Sequence, residues 1–297
     1  MNIRKIINSP YFLLPVLLFM WASLAAASKI VLQEIDTFLF LFYANLFALI
    51  TFVALVAANK ETHAYFSKLK KDIPMLCLCG VFAYLYYFFY YSALSIISAT
   101  EASIINYTFP ILIVVFDTLI NRNRMSFFTI LSLAIGLFGT IFILTGGNIF
   151  TFRLTNPAGA VYAFSAACSW ALFSVLGRRP KGHLLLNNAV YMAVSFIISL
   201  ITVIIFSGFT APSLTTILLV LWLGSCVFAL GTFIWFKLFE LISVSLMANL
   251  VYVTPFATLL FIAVFLNENI TIFHIIGLVI ILSGVAVQKL DKRKQRK

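Results

Sequence analysis

The segment WASLAAASK at residues 21–29 recurs as WALFSVLGR at residues 170–178, and this recurrence decides the fold. In both copies a Trp-Ala pair lies within an apolar stretch, and a basic residue follows eight positions after the tryptophan. The chain therefore divides into two related halves, residues 1–150 and residues 151–297. Further matches at a constant offset of 145 residues pair Ser98, Tyr107, Pro110, Phe116, Phe128 and Gly139 with Ser243, Tyr252, Pro255, Phe261, Phe273 and Gly284.

The composition around these copies is that of an integral membrane protein. Hydrophobic residues make up 63% of the 297 residues and charged residues only 10%, whereas soluble domains carry about 25% charged residues. Such a chain lacks the polar surface that a soluble enzyme needs. Its net charge of +11 therefore does not indicate nucleic-acid binding, and the lipid bilayer is its expected environment.

The number of apolar runs predicts how often the chain crosses the membrane. A bilayer core of about 30 Å is spanned by about 20 apolar residues of α-helix. We predict an all-α integral membrane protein with ten transmembrane helices, five in each half. Because five is odd, the second half enters from the opposite side and the halves form an inverted repeat, as in many transporters whose substrate site lies near mid-membrane. The predicted spans are roughly 11–32, 37–58, 74–94, 99–120, 126–145, 156–177, 188–207, 214–236, 244–266 and 271–289.

The distribution of basic residues orients these spans, because Lys and Arg near span ends stay on the cytoplasmic side. With a cytoplasmic N-terminus, every lysine and arginine except Lys29 and Arg153 falls in a cytoplasmic segment. Both termini are therefore predicted to be cytoplasmic, and the protein to be a multi-pass protein of the cell membrane. The basic tail KLDKRKQRK at 289–297 is interpreted as an orientation signal, with lipid-headgroup binding as the alternative.

Pro110 and Pro255 lie in the middle of matched spans, where each removes a backbone hydrogen bond. Pro110 leaves the carbonyl of Asn106 without its usual donor, next to Tyr107, and Pro255 does the same beside Tyr252. In hydrocarbon such a carbonyl needs another donor or a polar cavity. We expect a broken helix in each half, with Asn106, Tyr107 and Tyr252 at the substrate site and the two prolines at a moving gate. A packing kink bridged by a Ser or Thr is the alternative.

Trp21 and Trp170 fall near the middle of their helices rather than at the headgroup level where tryptophan is common. Facing each other across the axis between the halves, they would wall an aromatic or cation-binding pocket; packing against neighbouring alanines is the alternative. Lys29 and Arg178 lie two helical turns further on. They are predicted to place one positive charge at the outer and inner mouths respectively, useful for a carboxylate substrate, with snorkelling to headgroups as the alternative.

Acidic residues are scarce along the predicted spans, so the position of each one matters. Glu101 lies about 7–8 Å from Asn106 toward the outer face. Its carboxylate is a candidate for substrate binding, as a cation contact or a proton-coupling group, or is an interfacial residue at a helix start. Asp117, near the cytoplasmic end, is expected to form a structural ion pair with Arg122 or Arg124.

The third span contains a row of tyrosines, of which Tyr84, Tyr87 and Tyr91 share one helical face. Tyr84 and Tyr87 lie deep enough to line a polar cavity and are predicted substrate-binding residues. Small residues in the fifth and tenth spans are suited to close helix approach. They are interpreted as packing faces or as the faces of a homodimer, and they are Gly136, Gly139, Gly277 and Gly284.

Several of these features resemble the drug/metabolite transporter superfamily: the ten spans, the inverted halves, the mid-helix Trp-Ala pairs, and TFP and VTP in the fourth helices. Its EamA-type repeats would cover about 11–145 and 156–289. EASIINYTFP at 101–110 and LTGGN at 144–148 also resemble bacterial aromatic amino-acid exporters of that superfamily, although Phe109 stands where those exporters have Trp. The resemblance implies a secondary transporter that exports a small amphipathic metabolite, an aromatic or neutral amino acid, by alternating access.

Two other classes of function remain open at this stage. A transporter for cationic drugs fits Glu101 and the aromatic residues, whereas the lack of basic residues at mid-depth argues against phosphorylated substrates. A non-transporting membrane protein or membrane enzyme is the other class. The sequence has no HExxH motif, no nucleophile beside a histidine and no P-loop, so we expect no catalytic residues, no metal site and no cofactor.

Overall fold

The computed structural model describes residues 9–122, 124–266 and 271–290, and over those ranges all regular structure is helical. The prediction of an all-helical membrane protein is confirmed, whereas ten crossings stay a prediction. The residues before Ser9 and the basic tail after Leu290 lie outside the described ranges. Within them, eight helical stretches are long and apolar enough to cross a membrane: Pro10–Val31, Thr37–Ala58, Leu69–Leu94, Ala99–Asn121, Phe127–Leu144, Pro157–Leu176, Leu184–Phe206 and Leu214–Leu241. Two shorter apolar stretches follow, Val244–Leu260 and Ile272–Gln288.

The helices are numbered in chain order. Two short 3₁₀ turns, Lys60–Tyr65 and Ile149–Thr151, lie between them, and a π-helical segment, Leu223–Gly231, joins α9 to α10. The α-helices are α1 Pro10–Val31, α2 Thr37–Ala58, α3 Phe66–Leu94, α4 Ala99–Asn106, α5 Phe109–Asn121, α6 Phe127–Leu144, α7 Pro157–Leu176, α8 Leu184–Phe206, α9 Leu214–Trp222, α10 Thr232–Leu241, α11 Val244–Val251, α12 Thr254–Leu266 and α13 Ile272–Lys289.

The internal repeat is visible in how the helices begin. Ser98 caps α4, where its hydroxyl accepts a hydrogen bond of 3.1 Å from the Glu101 N–H. Ser243, 145 residues later, caps α11 in the same way with a bond of 3.3 Å from the Leu246 N–H. A hydroxyl in this position satisfies one of the free N–H groups of the first turn. The matched residues therefore start matched helices.

The two halves of the chain do not form separate packing units. The most extensive helix contacts join α3 to α7 and α8, α2 to α8, α6 to α13, and α1 to α12. Each of these pairs takes one helix from each half. Any cavity between the two halves is therefore lined by helices from both.

Glycines allow a close approach between α6 and α13. A Cβ atom added at Gly139 would lie 3.0 Å from the carbonyl oxygen of Gly277, and one at Gly284 would lie 2.8 Å from that of Ser132. One added at Gly136 would lie 2.3 Å from the ring of Tyr252. These glycines, predicted to serve packing or a dimer, form helix contacts within the chain.

Candidate functional site

The fourth helix of each repeat is broken at a matching position. A two-residue turn separates α4 from α5 at residues 107–108, and another separates α11 from α12 at residues 252–253. Pro110 and Pro255 lie in the first turn of the helix that follows each break, where the missing N–H has no helical partner to lose. Each half of the chain thus has one helix that is interrupted beside a proline.

A cavity of about 700 Å³ lies beside these breaks. It is bordered by α1, α3, α4, α7 and α12, and so by both halves. Its mouth carries the exposed residues Lys29, Gln33 and Thr100, at the end of the bundle that the charge pattern assigns to the outside. Deeper in, its wall is largely aromatic, with rings from Trp21, Tyr86, Tyr87, Tyr90, Tyr107 and Trp170.

Three tryptophans form a cluster at the inner end of this cavity. The rings of Trp21 and Trp170 meet edge to face, with centroids 5.6 Å apart. Trp235 lies against both, at 5.2 Å from Trp21 and 5.9 Å from Trp170, and donates a hydrogen bond of 3.0 Å to the Ser174 hydroxyl. The predicted contact between Trp21 and Trp170 across the two halves is therefore present, and it is supported by Trp235.

Three buried polar atoms of cavity-lining residues make no hydrogen bond of 3.5 Å or less with the described part of the chain. They are Oδ1 of Asn106, Nε1 of Trp170 and Oγ1 of Thr254. The Tyr86 ring lies 4.7 Å from that of Trp170, and its hydroxyl is close to the Asn106 side chain. Because an unsatisfied buried polar group is costly, these atoms are suited to a ligand that supplies the missing partners.

Three of the predicted substrate-binding residues, Tyr84, Tyr252 and Glu101, are not among the residues that line the cavity. The hydroxyl of Tyr84 is hydrogen bonded to Thr202 at 2.8 Å. Tyr252 is fully buried and packs against Gly136. The positions of Tyr84 and Tyr252 along their helices indicated how deep in the membrane the side chains lie. They did not indicate which way each side chain points, because packing against neighbouring helices sets the rotation of each helix.

Glu101 also differs from its predicted role. Its side chain is buried, and both carboxylate oxygens accept hydrogen bonds from Thr155, at 2.9 Å from the N–H and 2.7 Å from the hydroxyl. Thr155 belongs to the link between the two halves. The carboxylate therefore attaches that link to α4 instead of facing the cavity.

Arg178 is ion-paired, so it is not the open mouth charge that the sequence predicted. Its Nη1 atom lies 3.0 Å from Oδ1 of Asp117, and its guanidinium lies 5.1 Å from the centre of the Phe239 ring. The same carboxylate oxygen accepts a hydrogen bond of 2.8 Å from Asn121. The predicted pairing of Asp117 with Arg122 or Arg124 is thus replaced by a partner 61 residues away in sequence.

Apolar side chains close the bundle between the cavity and this ion pair. Leu17, Ile113 and Phe173 have no exposed surface. They belong to the same cluster of buried side chains as Trp170 and Trp235. The cavity is therefore open toward the end of the bundle that carries Lys29 and closed toward the end that carries Asp117 and Arg178.

Comparison with known proteins agrees with this architecture. A model of a protein family described as the EamA-like transporter family matches residues 8–145 and, separately, residues 157–288. The chain belongs to this family. It is thus an EamA-type membrane transporter of the drug/metabolite transporter superfamily, and the family model matches each half of the chain once.

Individual relatives of this EamA transporter are distant. A transporter of Archaeoglobus fulgidus is 26% identical over 284 residues, which cover 94% of this chain and 96% of the relative. The transporter YyaM of Bacillus subtilis is 27% identical over 230 residues, 74% of each chain. The aromatic amino acid exporter YddG of Ancylobacter novellus is 33% identical over 102 residues, so that the match spans only 34% of either protein.

The fold of this EamA transporter also occurs in a solved structure. A crystal structure superposes with a TM-score of 0.82 and covers 96% of this chain and 98% of that one, at 23% sequence identity. At this identity the similarity establishes the shared fold.

The features of this EamA site that sequence reasoning missed include Trp235 and Thr155, besides the lining residues Tyr86 and Tyr90. Trp235 was overlooked because it has no tryptophan counterpart in the first half, although its depth in an apolar span could have indicated it. Thr155 was overlooked because a threonine in a connecting segment carries no signal of its own. Its role depends on Glu101, which is 54 residues away in sequence.

Proposed function

We propose that this EamA transporter exports an aromatic or other neutral amino acid by alternating access. The observation that carries the proposal is the aromatic cavity between the two repeats, open at one end of the bundle and closed at the other. A substrate site with access from one side at a time is what alternating access requires. In this proposal the cavity faces outward, and the apolar side chains next to the Asp117–Arg178 pair form the inner barrier.

The proposal includes a topology of ten crossings in the cell membrane, with two inverted five-helix repeats and both termini in the cytoplasm. Support comes from the matched helix breaks and from the matched caps at Ser98 and Ser243. Further support comes from the basic residues, since Lys29 and Arg153 alone fall on the predicted outer side.

The lining of the cavity favours an amphipathic substrate with a ring. Rings such as Trp21, Tyr86 and Trp170 can stack on an apolar or aromatic side chain. Asn106 offers an acceptor for an ammonium group, and Lys29 offers a positive charge for a carboxylate. No carboxylate is among the described lining residues, which argues against the cationic-drug alternative. The partial match to an aromatic amino acid exporter points the same way.

Counterflow in proteoliposomes tests the proposed function, with radiolabelled L-phenylalanine and a panel of unlabelled L-amino acids and tetraphenylphosphonium. We expect wild-type flux that aromatic and neutral amino acids inhibit and the cation does not. Trp21→Ala, Trp170→Ala and Asn106→Ala should each lower the flux at least tenfold, since each removes a direct contact with the substrate.

The matched control is Trp222→Ala, because Trp222 lies outside the cavity and donates its hydrogen bond to Ser23. This variant should keep most of the wild-type flux, and monodisperse elution in detergent would show that all four variants fold. Absence of flux with every compound of the panel would refute the proposed function. Unchanged flux in all three cavity variants would refute the site.

A further inference from the structure

Lys29 and Arg178 are equivalent residues of the two repeats, but their surroundings differ. Each follows its mid-helix tryptophan by eight positions. Arg178 is paired with Asp117 at 3.0 Å at the closed end of the bundle. Lys29 lines the mouth of the open cavity, and within the described residues no carboxylate oxygen lies within 4.0 Å of its ammonium group.

The repeat also identifies the residue that would have to pair with Lys29. Asp117 lies on α5, which packs against α7; its counterpart 145 positions later, on α12, is Ile262, and α12 packs against α1. When an inverted repeat alternates access, the two halves exchange roles. The pair of Arg178 with Asp117 at the inner end therefore corresponds to Lys29 with Ile262 at the outer end. Isoleucine offers no charge to the lysine.

The other carboxylates that the structure describes near the outer end are already engaged. Glu34 and Asp36 lie in the turn between α1 and α2, and Glu101 lies in the first turn of α4. Each of these carboxylates accepts hydrogen bonds from a segment distant in sequence. These bonds hold it in place, so it is not available to pair with Lys29 when the outer end closes. The donors are Ser213 and Thr216 for Glu34, Ser207 for Asp36, and Thr155 for Glu101.

We propose that the carboxylate of the transported substrate serves as the counter-ion of Lys29 when the outer end closes. The substrate would thereby take the place that Asp117 occupies at the inner end. This inference rests on the proposed function, and it makes Lys29 the residue that selects substrates bearing a carboxylate. Closure of the outer end is then favourable with such a substrate bound and unfavourable with the cavity empty.

The dimensions of the site fit this arrangement. Lys29 lies eight residues beyond Trp21, about 12 Å along the helix. Side chains on a helix lean toward its N-terminus, so the long lysine side chain leans from the mouth toward the tryptophans. An amino acid whose ring stacks on Trp21 and Trp170 can place its carboxylate in the remaining gap.

This asymmetry between the two ends predicts the mode of transport. The inner end carries its own ion pair and closes without a substrate, whereas the outer end needs a carboxylate from outside the protein. An empty transporter should therefore return slowly from the outward-open state. Exchange of substrate across the membrane should be at least tenfold faster than net export.

Accessibility of the cavity tests the inference without relying on transport. Ser103 lines the cavity below the mouth, so Ser103→Cys can report the outward-open state when Cys77, Cys79, Cys168 and Cys226 have been replaced by serine. A membrane-impermeant maleimide should label it in oriented proteoliposomes. Adding Ile262→Asp supplies the missing carboxylate and should lower the labelling rate at least fivefold without any substrate.

Two controls make this result specific. Ile262→Asn, of the same size but uncharged, should leave the labelling rate at the level of the reporter protein. Adding Lys29→Gln to the Ile262→Asp protein should restore the labelling, because the new pair is lost. Equal labelling of the Asp and Asn variants, or no restoration by Lys29→Gln, would overturn the inference.

Glu268 provides a further control, because it belongs to the predicted outer turn and lies outside the described residues. Glu268→Gln should leave both the labelling rate and substrate protection unchanged. If Glu268→Gln instead weakens protection by the acids as strongly as Lys29→Gln does, a protein carboxylate is the counter-ion and the inference is wrong.

Substrate analogues complete the test and remain informative where the variants at residue 262 do not fold. L-Phenylalanine and 3-phenylpropionate carry a carboxylate, whereas phenethylamine does not. In the reporter protein with wild-type Lys29, the first two should slow labelling of Ser103→Cys and phenethylamine should not. With Lys29→Gln, the concentration of the two acids that gives half protection should rise at least tenfold. Protection by phenethylamine equal to that by the acids would overturn the inference.

The arms of the experiment separate this inference from the proposed function. If neither acid protects but Ile262→Asp still closes the cavity in a Lys29-dependent way, the substrate class is wrong and the role of Lys29 stands. If L-phenylalanine is transported and protects equally with and without Lys29, the proposed function stands and the role of Lys29 is wrong.

Discussion

Two buried tyrosines show how single residues of similar burial differ in what they contribute. The hydroxyl of Tyr191 donates a hydrogen bond of 2.9 Å to the carbonyl of Gly177. The hydroxyl of Tyr252 has no hydrogen-bond partner in the described part of the chain. Both side chains are fully buried, so the difference lies in the partner and not in exposure.

Removing each hydroxyl should therefore change stability in opposite directions. Tyr191→Phe leaves the Gly177 carbonyl unpaired and is expected to destabilise the fold by about 1–2 kcal/mol, whereas Tyr252→Phe removes an unsatisfied group and should stabilise it by about 1 kcal/mol. Melting temperatures of the detergent-purified variants measure this. Equal shifts of the same sign would mean that the Tyr252 hydroxyl has a partner, such as a buried water.

At the scale of elements, one helix of each half is interrupted beside a proline, Pro110 or Pro255. The missing N–H of Pro110 or Pro255 removes one helical hydrogen bond wherever the helix lies in the fold, whereas α1 and α3 continue through Pro15 and Pro74. The destination of the flanking side chains was less predictable. Asn106 and Tyr107 line the cavity, whereas Tyr252, the counterpart of Tyr107, packs against Gly136. The repeats therefore share a backbone break but not the use of the side chains.

If the break serves gating, joining the two helical pieces should slow transport. Pro110→Ala gives residue 110 an N–H that can donate to the Asn106 carbonyl, so α4 and α5 can merge. We expect the melting temperature to rise or stay constant and the phenylalanine exchange rate to fall at least fivefold. Pro157→Ala is the control, because Pro157 begins α7 directly after the Asn156 cap and interrupts no helix. A Pro110→Ala protein that exchanges at the wild-type rate would rule out a gating role for this break.

At the scale of the whole molecule, hydrogen bonds to Glu34 join the two halves of the chain at the predicted outer end. Glu34, in the turn between α1 and α2, accepts hydrogen bonds from the backbone and side chain of Ser213 and from the Thr216 hydroxyl at the start of α9. Hydrogen bonds from the Ser213 and Thr216 side chains and from the Ser213 N–H hold the pKa of Glu34 below its ordinary value of 4.5. These hydrogen bonds therefore favour the ionised form of the Glu34 carboxylate.

A lowered pKa in the folded state implies a stabilisation that is complete above the unfolded value and is lost as the pH falls through the folded value. The contribution of Glu34 should thus be constant from neutral pH down to about 4.5 and disappear below it. We expect Glu34→Gln to melt at a lower temperature than wild type at neutral pH, with the two curves converging below that pH. Ser213→Ala combined with Thr216→Val should reproduce the loss. If the melting temperatures of wild type and Glu34→Gln differed by the same amount at every pH, this role of the ionised Glu34 carboxylate would be contradicted.

Helices, their breaks and the family could be predicted from the sequence because each depends on information that is local or repeated along the chain. An apolar run of about 20 residues must satisfy its backbone internally in a membrane. A proline by itself removes one helical hydrogen bond, although α1 and α3 continue through Pro15 and Pro74. The two Trp-Ala segments carry the repeat. The depth of Trp21, Trp170 and Asn106 followed from counting residues, and all three lie at the cavity.

The pairing of charged and polar side chains was decided only by the tertiary structure. Arg178 pairs with Asp117 because α5 packs on α7, and Glu101 binds Thr155 because the link between the halves reaches the start of α4. Local arginines were equally good candidates for Asp117 by sequence distance. Which partner a charge meets depends on the rotation and packing of whole helices, and these are set by the summed contacts of residues far apart in the chain.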